Sequence, residues 1–180
     1  MAGSAKRRLL LLRHAKSAWP DVADHERPLA GRGRRDAPAV GRWLRAAGCV
    51  PDRVVCSTAR RARETWQLAA QELDASPKVS FDERVYGAAA AELLDLAREI
   101  APKSRTLLIV GHDPAMQQLT LMLASAGAGD EDGLERARFK FPTAAVAVLE
   151  FDGTWPELGP QRARLASFVV PRDLHGPGGK

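Results

Sequence analysis

Apolar residues along the chain alternate between short β-rich runs and longer stretches of helical periodicity. The runs that predict strands are Arg8–Arg13, Arg53–Ser57, Thr106–Gly111, Ala144–Phe151 and Ala163–Val170, with a weaker one at Val79–Phe81. The helical patterns are Arg35–Ala47, Arg60–Leu73, Glu92–Ile100 and Ala115–Ala124. The runs LLLL and TLLIVG are apolar throughout, which is typical of strands buried on both faces. The alternation predicts an α/β fold, a three-layer α/β/α sandwich with a mostly parallel central sheet.

The length of 180 residues predicts a single domain over residues 1–180, with flexible tails at about 1–6 and 174–180. The stretch SAGAGDEDG at Ser125–Gly133 is expected to be a flexible loop. The apolar run Leu9–Leu12 follows basic residues but is too short for a signal peptide. Because no run approaches a membrane span and two cysteines cannot form a disulfide framework, we expect a cytoplasmic protein with no membrane partner.

The net charge of +5 raises the question of nucleic-acid binding. However, 21 of the 27 basic residues are Arg and 6 are Lys, they are scattered along the chain, and no aromatic platform accompanies them. We therefore disfavour nucleic acid as a partner. A basic surface can still attract anionic substrates.

Several polar residues follow predicted strands at the edge where an open α/β sheet binds its ligands. Arg13, His14 and Ser17 follow the first strand, while Ser57, Thr58, Arg60 and Arg61 follow the second; His112 and Asp113 follow TLLIVG. A single histidine or arginine at such a place is more often structural or solvated. Two of each at one edge predict an anion site, and the rigid fork of arginine suits phosphate.

Four motifs in this order resemble the histidine phosphatase (phosphoglycerate-mutase-like) superfamily, over roughly residues 8 to 150. They are Arg13-His14-Ala15-Lys16-Ser17, Glu26-Arg27-Pro28-Leu29 with Gly33, the run Ser57–Thr65, and Val110–Pro114. The short chain, the RHAKS…ERPL pattern and Phe141-Pro142-Thr143 are most similar to the SixA-type phosphohistidine phosphatases. Ala15 stands where the superfamily often has Gly, and Pro20 stands where mutases often have Asn, which disfavours a mutase.

The resemblance implies a role for each matching residue. His14 would be the nucleophile, and Arg13, Arg61 and His112 would bind the phosphate, with Ser17 and Ser57 as further donors. The alignment selects Arg61 over Arg60, which points about 100° away on a helix. Glu83 would be the general acid, ahead of Asp113 and Asp21; alternatively, Glu83 is a solvated residue paired with Arg84. His25 and His175 are expected to be exposed to solvent.

The function that this resemblance implies is hydrolysis of a protein phosphohistidine through a phospho-His14 intermediate, with inorganic phosphate as product. The partner would be a phosphorylated protein of the histidine-phosphotransfer type. No cofactor or metal is implied, because cationic side chains take the metal's place. One alternative is hydrolysis of a small phosphate ester, of a sugar or a nucleotide, by the same mechanism. Another is a non-catalytic module that recognises phosphate.

Overall fold

A computed structural model describes residues 5–175 and contains six strands, six α-helices and three short 3-10 helices over that range. The strands are β1 (Lys6–Arg13), β2 (Arg53–Ser57), β3 (Lys78–Asp82), β4 (Thr106–Gly111), β5 (Val146–Asp152) and β6 (Arg164–Val169). The helices are α1 (Gly31–Ala46), α2 (Arg60–Ala70), α3 (Ala90–Arg98), α4 (Ala115–Leu123), α5 (Glu131–Phe139) and α6 (Pro171–Leu174).

All six strands form one sheet in the order β3-β2-β4-β1-β5-β6. The neighbours β3, β2, β4 and β1 pair in parallel, while β5 runs antiparallel to β1 and β6 antiparallel to β5. The predicted α/β fold with a mostly parallel sheet is confirmed.

The sheet is covered on both faces, which explains the uninterrupted apolar run of β1. Leu9 and Leu11 pack in a core with side chains of α3, α4 and α5. Leu10 and Leu12 point the other way and pack in a second core with side chains of α1 and α2. Successive side chains of a strand point to opposite faces, so a strand between two helical layers must be apolar at every position.

Helix α5 is a correction to the sequence prediction, which placed a flexible loop over Ser125–Gly133 and no helix after it. The structure begins a helix at Glu131, and the carboxylate of Asp130 caps it by accepting from the Gly133 N–H at 2.8 Å. The buried residues of this helix are Gly133, Leu134 and Ala137, so its inner face offers only two side chains to the core. A stripe this narrow and small gives almost no helical periodicity in the sequence.

Two residues of the predicted tails belong to regular elements instead. Lys6 is the first residue of β1, and Leu174 is the last residue of α6. Residues 1–4 and 176–180 of the predicted tails lie outside the described residues. Within residues 5–175 no helix has the length and apolar character needed to cross a membrane. The cytoplasmic location stays a prediction.

The sheet places three chain segments side by side at one edge. Arg13 at the end of β1 lies opposite Gly111 at the end of β4, and Cys56 near the end of β2 lies opposite Val110. The His14 N–H donates to the Gly111 carbonyl at 3.0 Å, so the β1 loop is tied to the β4 loop. The carboxyl ends of neighbouring parallel strands thus bring distant parts of the chain together.

Candidate active site

His14 and His112 lie together at this edge although they are far apart in sequence. Their ring centroids are 5.2 Å apart, and the rings are inclined at 51°. His14 is buried, with 7% of its surface exposed. The structure therefore brings together the two histidines that the motifs single out.

The hydrogen bonding of His14 leaves one ring nitrogen free for chemistry. Its Nδ1–H donates to the Ala15 carbonyl at 2.8 Å, so the lone pair resides on Nε2. Burial, reinforced by the positive field of nearby Arg61 and Arg13, lowers the pKa of His14 to about 3. His14 is consequently neutral at pH 7 and can act as a nucleophile.

His112 is held by the hydroxyl of Ser57. The His112 Nε2 lies 2.8 Å from the Ser57 Oγ, and Ser57 is completely buried. The same Oγ accepts from the Ala59 N–H at 3.2 Å, so the hydroxyl proton can be donated to His112. In that arrangement the His112 proton resides on Nδ1. Burial, together with the field of Arg61, lowers the pKa of His112 to about 4.

Arg13 and Arg61 are each held by their terminal nitrogens. The Arg13 Nη1 donates to the Phe141 carbonyl at 2.8 Å and lies 3.8 Å from the Asp113 carboxylate. Arg61 donates from Nη1 to the Asp24 carbonyl at 2.8 Å and from Nη2 to the Asp24 carboxylate at 3.1 Å. Both guanidinium groups are therefore fixed in orientation near the two imidazoles.

Three buried nitrogens of this cluster have no hydrogen-bond partner among residues 5–175: Arg13 Nε, Arg61 Nε and His112 Nδ1. A buried polar group without a partner carries a free-energy cost, and such groups are uncommon in folded proteins. Phosphate offers several anionic acceptors on one tetrahedral centre, and charge-assisted bonds to arginine are strong. The donor set fits an anion of this type.

The structure separates Arg61 from Arg60. Arg61 is buried, whereas Arg60 is exposed and pairs with Glu64 on its own helix at 3.6 Å. Thr65 fixes this part of α2 against residues 14–17 after β1, which carry the predicted nucleophile His14 and which we call the nucleophile loop. Its hydroxyl donates to the Arg61 carbonyl at 2.7 Å and accepts from the Ala15 N–H at 2.9 Å.

Two other predicted site residues, Ser17 and Glu83, form no hydrogen bond with His14 or His112 within residues 5–175. Ser17 is buried, and its hydroxyl accepts a hydrogen bond from Arg27. Glu83 is exposed in the short turn Glu83–Val85, and within residues 5–175 its side chain has no hydrogen bond or ion pair. The alternative pairing with Arg84 is not formed, because Arg84 pairs with Asp82 at 2.9 Å and with Glu99 at 3.2 Å.

The pKa values of two carboxyl groups at the site are shifted in opposite directions. The hydrogen bond from Tyr86 at 2.6 Å, with those from Arg27 and Arg61, holds the pKa of Asp24 far below its usual range. Asp24 is therefore ionised. Burial, opposed by Arg13, instead raises the pKa of Asp113. Of the two, Asp113 is the one that can carry a proton more readily.

Sequence reasoning missed Asp24 as a site residue and placed His25 in solvent. The His25 Nε2 lies 2.9 Å from the Thr58 hydroxyl, and its ring packs edge-on against Tyr86 with centroids 4.9 Å apart. Tyr86 in turn packs against His112 at 5.6 Å. Nothing in the polar run Asp24-His25-Glu26 signals these contacts, since they join residues more than thirty positions apart.

His175 was also expected in solvent. Although it is exposed, its Nε2 lies 2.8 Å from the buried carboxylate of Asp36 in α1. Among residues 5–175, no group of three or more His, Cys, Asp or Glu side chains is close enough together to hold a metal ion.

Comparison with known proteins assigns the family. The family model for the histidine phosphatase superfamily (branch 1) matches residues 9–92. An uncharacterized protein of Mycobacterium tuberculosis is 46% identical over 162 residues, which are 89% of this chain and 100% of that protein.

Two solved structures extend the comparison. A provisionally assigned phosphohistidine phosphatase SixA from Nakamurella multipartitia is 32% identical, with a TM-score of 0.83 over 94% of this chain and 98% of that one. A mycobacterial glucosyl-3-phosphoglycerate phosphatase is 17% identical, with a TM-score of 0.62 over 90% of this chain and 100% of that one, which shows the shared fold alone. The chain thus belongs to the histidine phosphatase superfamily and is a phosphatase of the histidine-nucleophile type.

Proposed function

We propose that the chain hydrolyses phosphohistidine on another protein and that His14 carries the phosphoryl group between the two half-reactions. One observation carries the proposal: a neutral, buried His14 has its ring centroid 5.2 Å from that of His112, in a cluster where three buried nitrogens have no hydrogen-bond partner in the described part of the chain. Those nitrogens are suited to the oxygens of a transferring phosphoryl group, where negative charge is spread in the transition state.

In the first half-reaction the Nε2 lone pair of His14 attacks phosphorus, and the phosphorus–nitrogen bond of the substrate breaks. The leaving imidazole takes a proton from solvent and departs as neutral histidine. Arg13, Arg61 and His112 donate to the phosphoryl oxygens throughout. Since Ala15 holds Nδ1 at 2.8 Å, the attacking nitrogen keeps its orientation.

In the second half-reaction a water molecule attacks the phosphorus of phospho-His14, and the bond from phosphorus to Nε2 breaks. Inorganic phosphate leaves, the proton taken up in the first step returns to solvent, and His14 is neutral again. No cofactor is needed for this balance.

The leaving group is the reason to prefer phosphohistidine. The conjugate acid of imidazole has a pKa of about 6.5, so the free ring nitrogen of phosphohistidine can take its proton from solvent near neutral pH, and the ring departs without a strong general acid. A sugar or serine alkoxide must be protonated as it leaves. The Glu83 side chain forms no hydrogen bond or ion pair within residues 5–175, and Asp24 is ionised. The similarity to the Nakamurella protein supports the same substrate.

The second candidate function is hydrolysis of a small phosphate ester by the same nucleophile. Asp113 favours it, because burial raises the pKa of this carboxyl beside Arg13 and a protonated carboxyl can serve an alkoxide leaving group. The mycobacterial fold neighbour is itself named for a phosphate ester. An Asp113→Asn variant should then lose turnover of esters while keeping turnover of phosphohistidine.

Rapid-quench labelling tests the nucleophile. With a radiolabelled phosphodonor, the wild type should carry acid-labile label, and His14→Ala should carry none. His175→Ala is the matched control, because it removes a histidine outside the cluster and should label like the wild type. Phosphate-dependent binding with no label in any variant would favour a non-catalytic binding module instead.

A substrate panel tests the specificity. A histidine-phosphotransfer domain phosphorylated on histidine is assayed beside sugar and nucleotide monophosphates, and release of inorganic phosphate is measured. We expect the highest kcat/KM for the phosphorylated protein. Strong turnover of a single monoester, with none of the phosphorylated protein, would replace the proposal with the second candidate.

A further inference from the structure

A wide groove lies between α1, α5 and α6 and has a volume of about 1000 Å³. Its walls are the first turns of α1, the end of α5 with the segment that follows, and the end of β6 with α6. We call it the basic groove, after the five cations that line it: Arg32, Arg35, Arg136, Lys140 and Arg172.

The basic groove reaches the active site at residue 141. Lys140 and Pro142 line the groove, and the Phe141 carbonyl between them accepts the hydrogen bond of Arg13 at 2.8 Å. On the opposite wall, α1 begins directly beside the nucleophile loop, since the Ala30 N–H donates to the Lys16 carbonyl at 2.8 Å. A macromolecule seated in the groove would thus lie at the same sheet edge as His14.

The groove has an excess of positive charge. Its two acidic side chains are already paired: Asp36 with Arg32 and His175, and Glu135 with Arg138. Three of its cations, by contrast, are exposed and form no ion pair with any residue in the range 5–175: Arg35, Lys140 and Arg172. Such a surface is complementary to an acidic one.

One aromatic side chain stands exposed in the groove wall. Phe139, the last residue of α5, has 91% of its surface exposed. Exposed aromatics beside arginines are typical of the cores of protein–protein interfaces. The other aromatic ring of the groove, Phe168, is buried, so no row of stacking platforms for successive bases is available. These features favour a protein partner over a nucleic acid.

We propose that the basic groove docks an acidic face of the phosphorylated protein whose phosphohistidine His14 attacks. This inference rests on the proposed function and adds to it the recognition of the substrate outside the reacting group. Docking through screened surface charges acts on association, so it affects KM for the protein substrate and makes that KM sensitive to salt.

The test reverses two exposed charges that form no ion pair, in the variant Lys140→Glu/Arg172→Glu. The matched control, Lys103→Glu/Arg105→Glu, makes the same change in net charge at exposed positions before β4, at the opposite edge of the sheet. The substrates are an acidic histidine-phosphotransfer domain phosphorylated on histidine, and free phosphohistidine. We expect the groove variant to raise KM for the domain about tenfold. Its kcat/KM for free phosphohistidine, and both values in the control, should stay unchanged.

Three results would overturn the docking proposal. The first is an unchanged KM in the groove variant, and the second is an equal rise in both variants, which would reflect net charge alone. The third is tight, salt-dependent binding of duplex DNA or RNA that only the groove variant loses while KM for the domain stays unchanged. That result would assign the groove to nucleic acid.

A binding measurement separates failure of docking from failure of the proposed function. Fluorescence anisotropy with the labelled, unphosphorylated domain needs no turnover. If the wild type hydrolyses neither phosphohistidine substrate, the proposed function is wrong. Docking then stands if the domain binds the wild type and the control but not the groove variant, and it is overturned if all three bind alike or none binds.

Discussion

At the scale of single residues, burial sets the protonation of the site. His14 and His112 have pKa values lowered to about 3 and about 4, chiefly because the protonated rings would lose hydration, and because arginines lie nearby. The arginines that we propose to bind the phosphate therefore also help to keep His14 uncharged. The same environment suits both tasks.

The lowered pKa of His14 can be measured directly. In NMR spectra of histidine-labelled protein, the His14 ring should remain neutral down to pH 5 and titrate below it. His14→Gln provides the assignment. With a substrate that does not titrate in this range, the midpoint of the acid limb of kcat/KM should then lie below pH 6.5. A His14 midpoint near 6.5 would contradict the buried, neutral nucleophile.

The hydroxyl of Ser57 should position His112 for phosphate. Ser57→Ala removes the 2.8 Å contact to His112 Nε2 and with it the preference for a proton on Nδ1. We expect kcat to fall about tenfold, the equivalent of one hydrogen bond of about 1.4 kcal/mol. The free energy of unfolding should fall by about 1–3 kcal/mol, because the Ala59 N–H also loses its acceptor. Ser125→Ala, which removes a hydroxyl bonded to the Ala163 carbonyl, is the control and should leave kcat unchanged. An unchanged kcat in Ser57→Ala would exclude the positioning role.

At the scale of elements, close packing of α1 shapes the loop that carries the nucleophile. A Cβ at Gly33 would lie 2.2 Å from the Lys16 carbonyl oxygen, so α1 approaches this loop only because position 33 has no side chain. Gly41 makes a similar approach to α2, where a Cβ would lie 2.2 Å from the Ala69 carbonyl oxygen. Gly33 therefore allows close packing at the site, and Gly41 allows close packing between α1 and α2.

Alanine at these positions should separate the two roles. Gly33→Ala and Gly41→Ala should each lower the free energy of unfolding by about 1–3 kcal/mol through overpacking. Gly33→Ala should in addition have a lower kcat/KM than Gly41→Ala. Gly31→Ala is the neutral control, because its Cβ would meet only the end of the Arg35 side chain at 3.6 Å. Urea unfolding and phosphatase assays on all three give the comparison. Equal kcat/KM in Gly33→Ala and Gly41→Ala would remove the link between α1 packing and the nucleophile loop.

At the scale of the whole molecule, the neutral histidines make stability depend on pH. An unfolded histidine binds its proton with a pKa near 6.5, whereas the folded values for His14 and His112 are about 3 and about 4. Between these limits the unfolded state holds more protons, so the free energy of unfolding increases with pH and levels off above 6.5. Acidification thus destabilises the fold through the site itself.

Replacing one histidine should reduce this slope. Between about pH 4.5 and 6, each such histidine contributes up to about 1.4 kcal/mol per pH unit to the free energy of unfolding. His14→Gln should therefore show a shallower rise than the wild type in urea unfolding at several pH values. Ser125→Ala, which removes no ionisable group, is the control and should keep the wild-type slope. Identical slopes for the wild type and His14→Gln would mean that His14 is not held neutral by the fold.

The local pattern of the sequence determined the β1, β2 and β4 strands, the two-sided burial of the sheet and the predicted meeting of His14 with His112. These follow from periodicity and from motifs at strand ends, which need only neighbouring residues to be recognised. The tertiary structure alone determined the rest: the Asp24 clamp on Arg61, the place of His25, the helix α5 and the basic groove. Each depends on which loop side chain meets which distant partner, or on a face of few small side chains, and neither leaves a periodic signal in the chain.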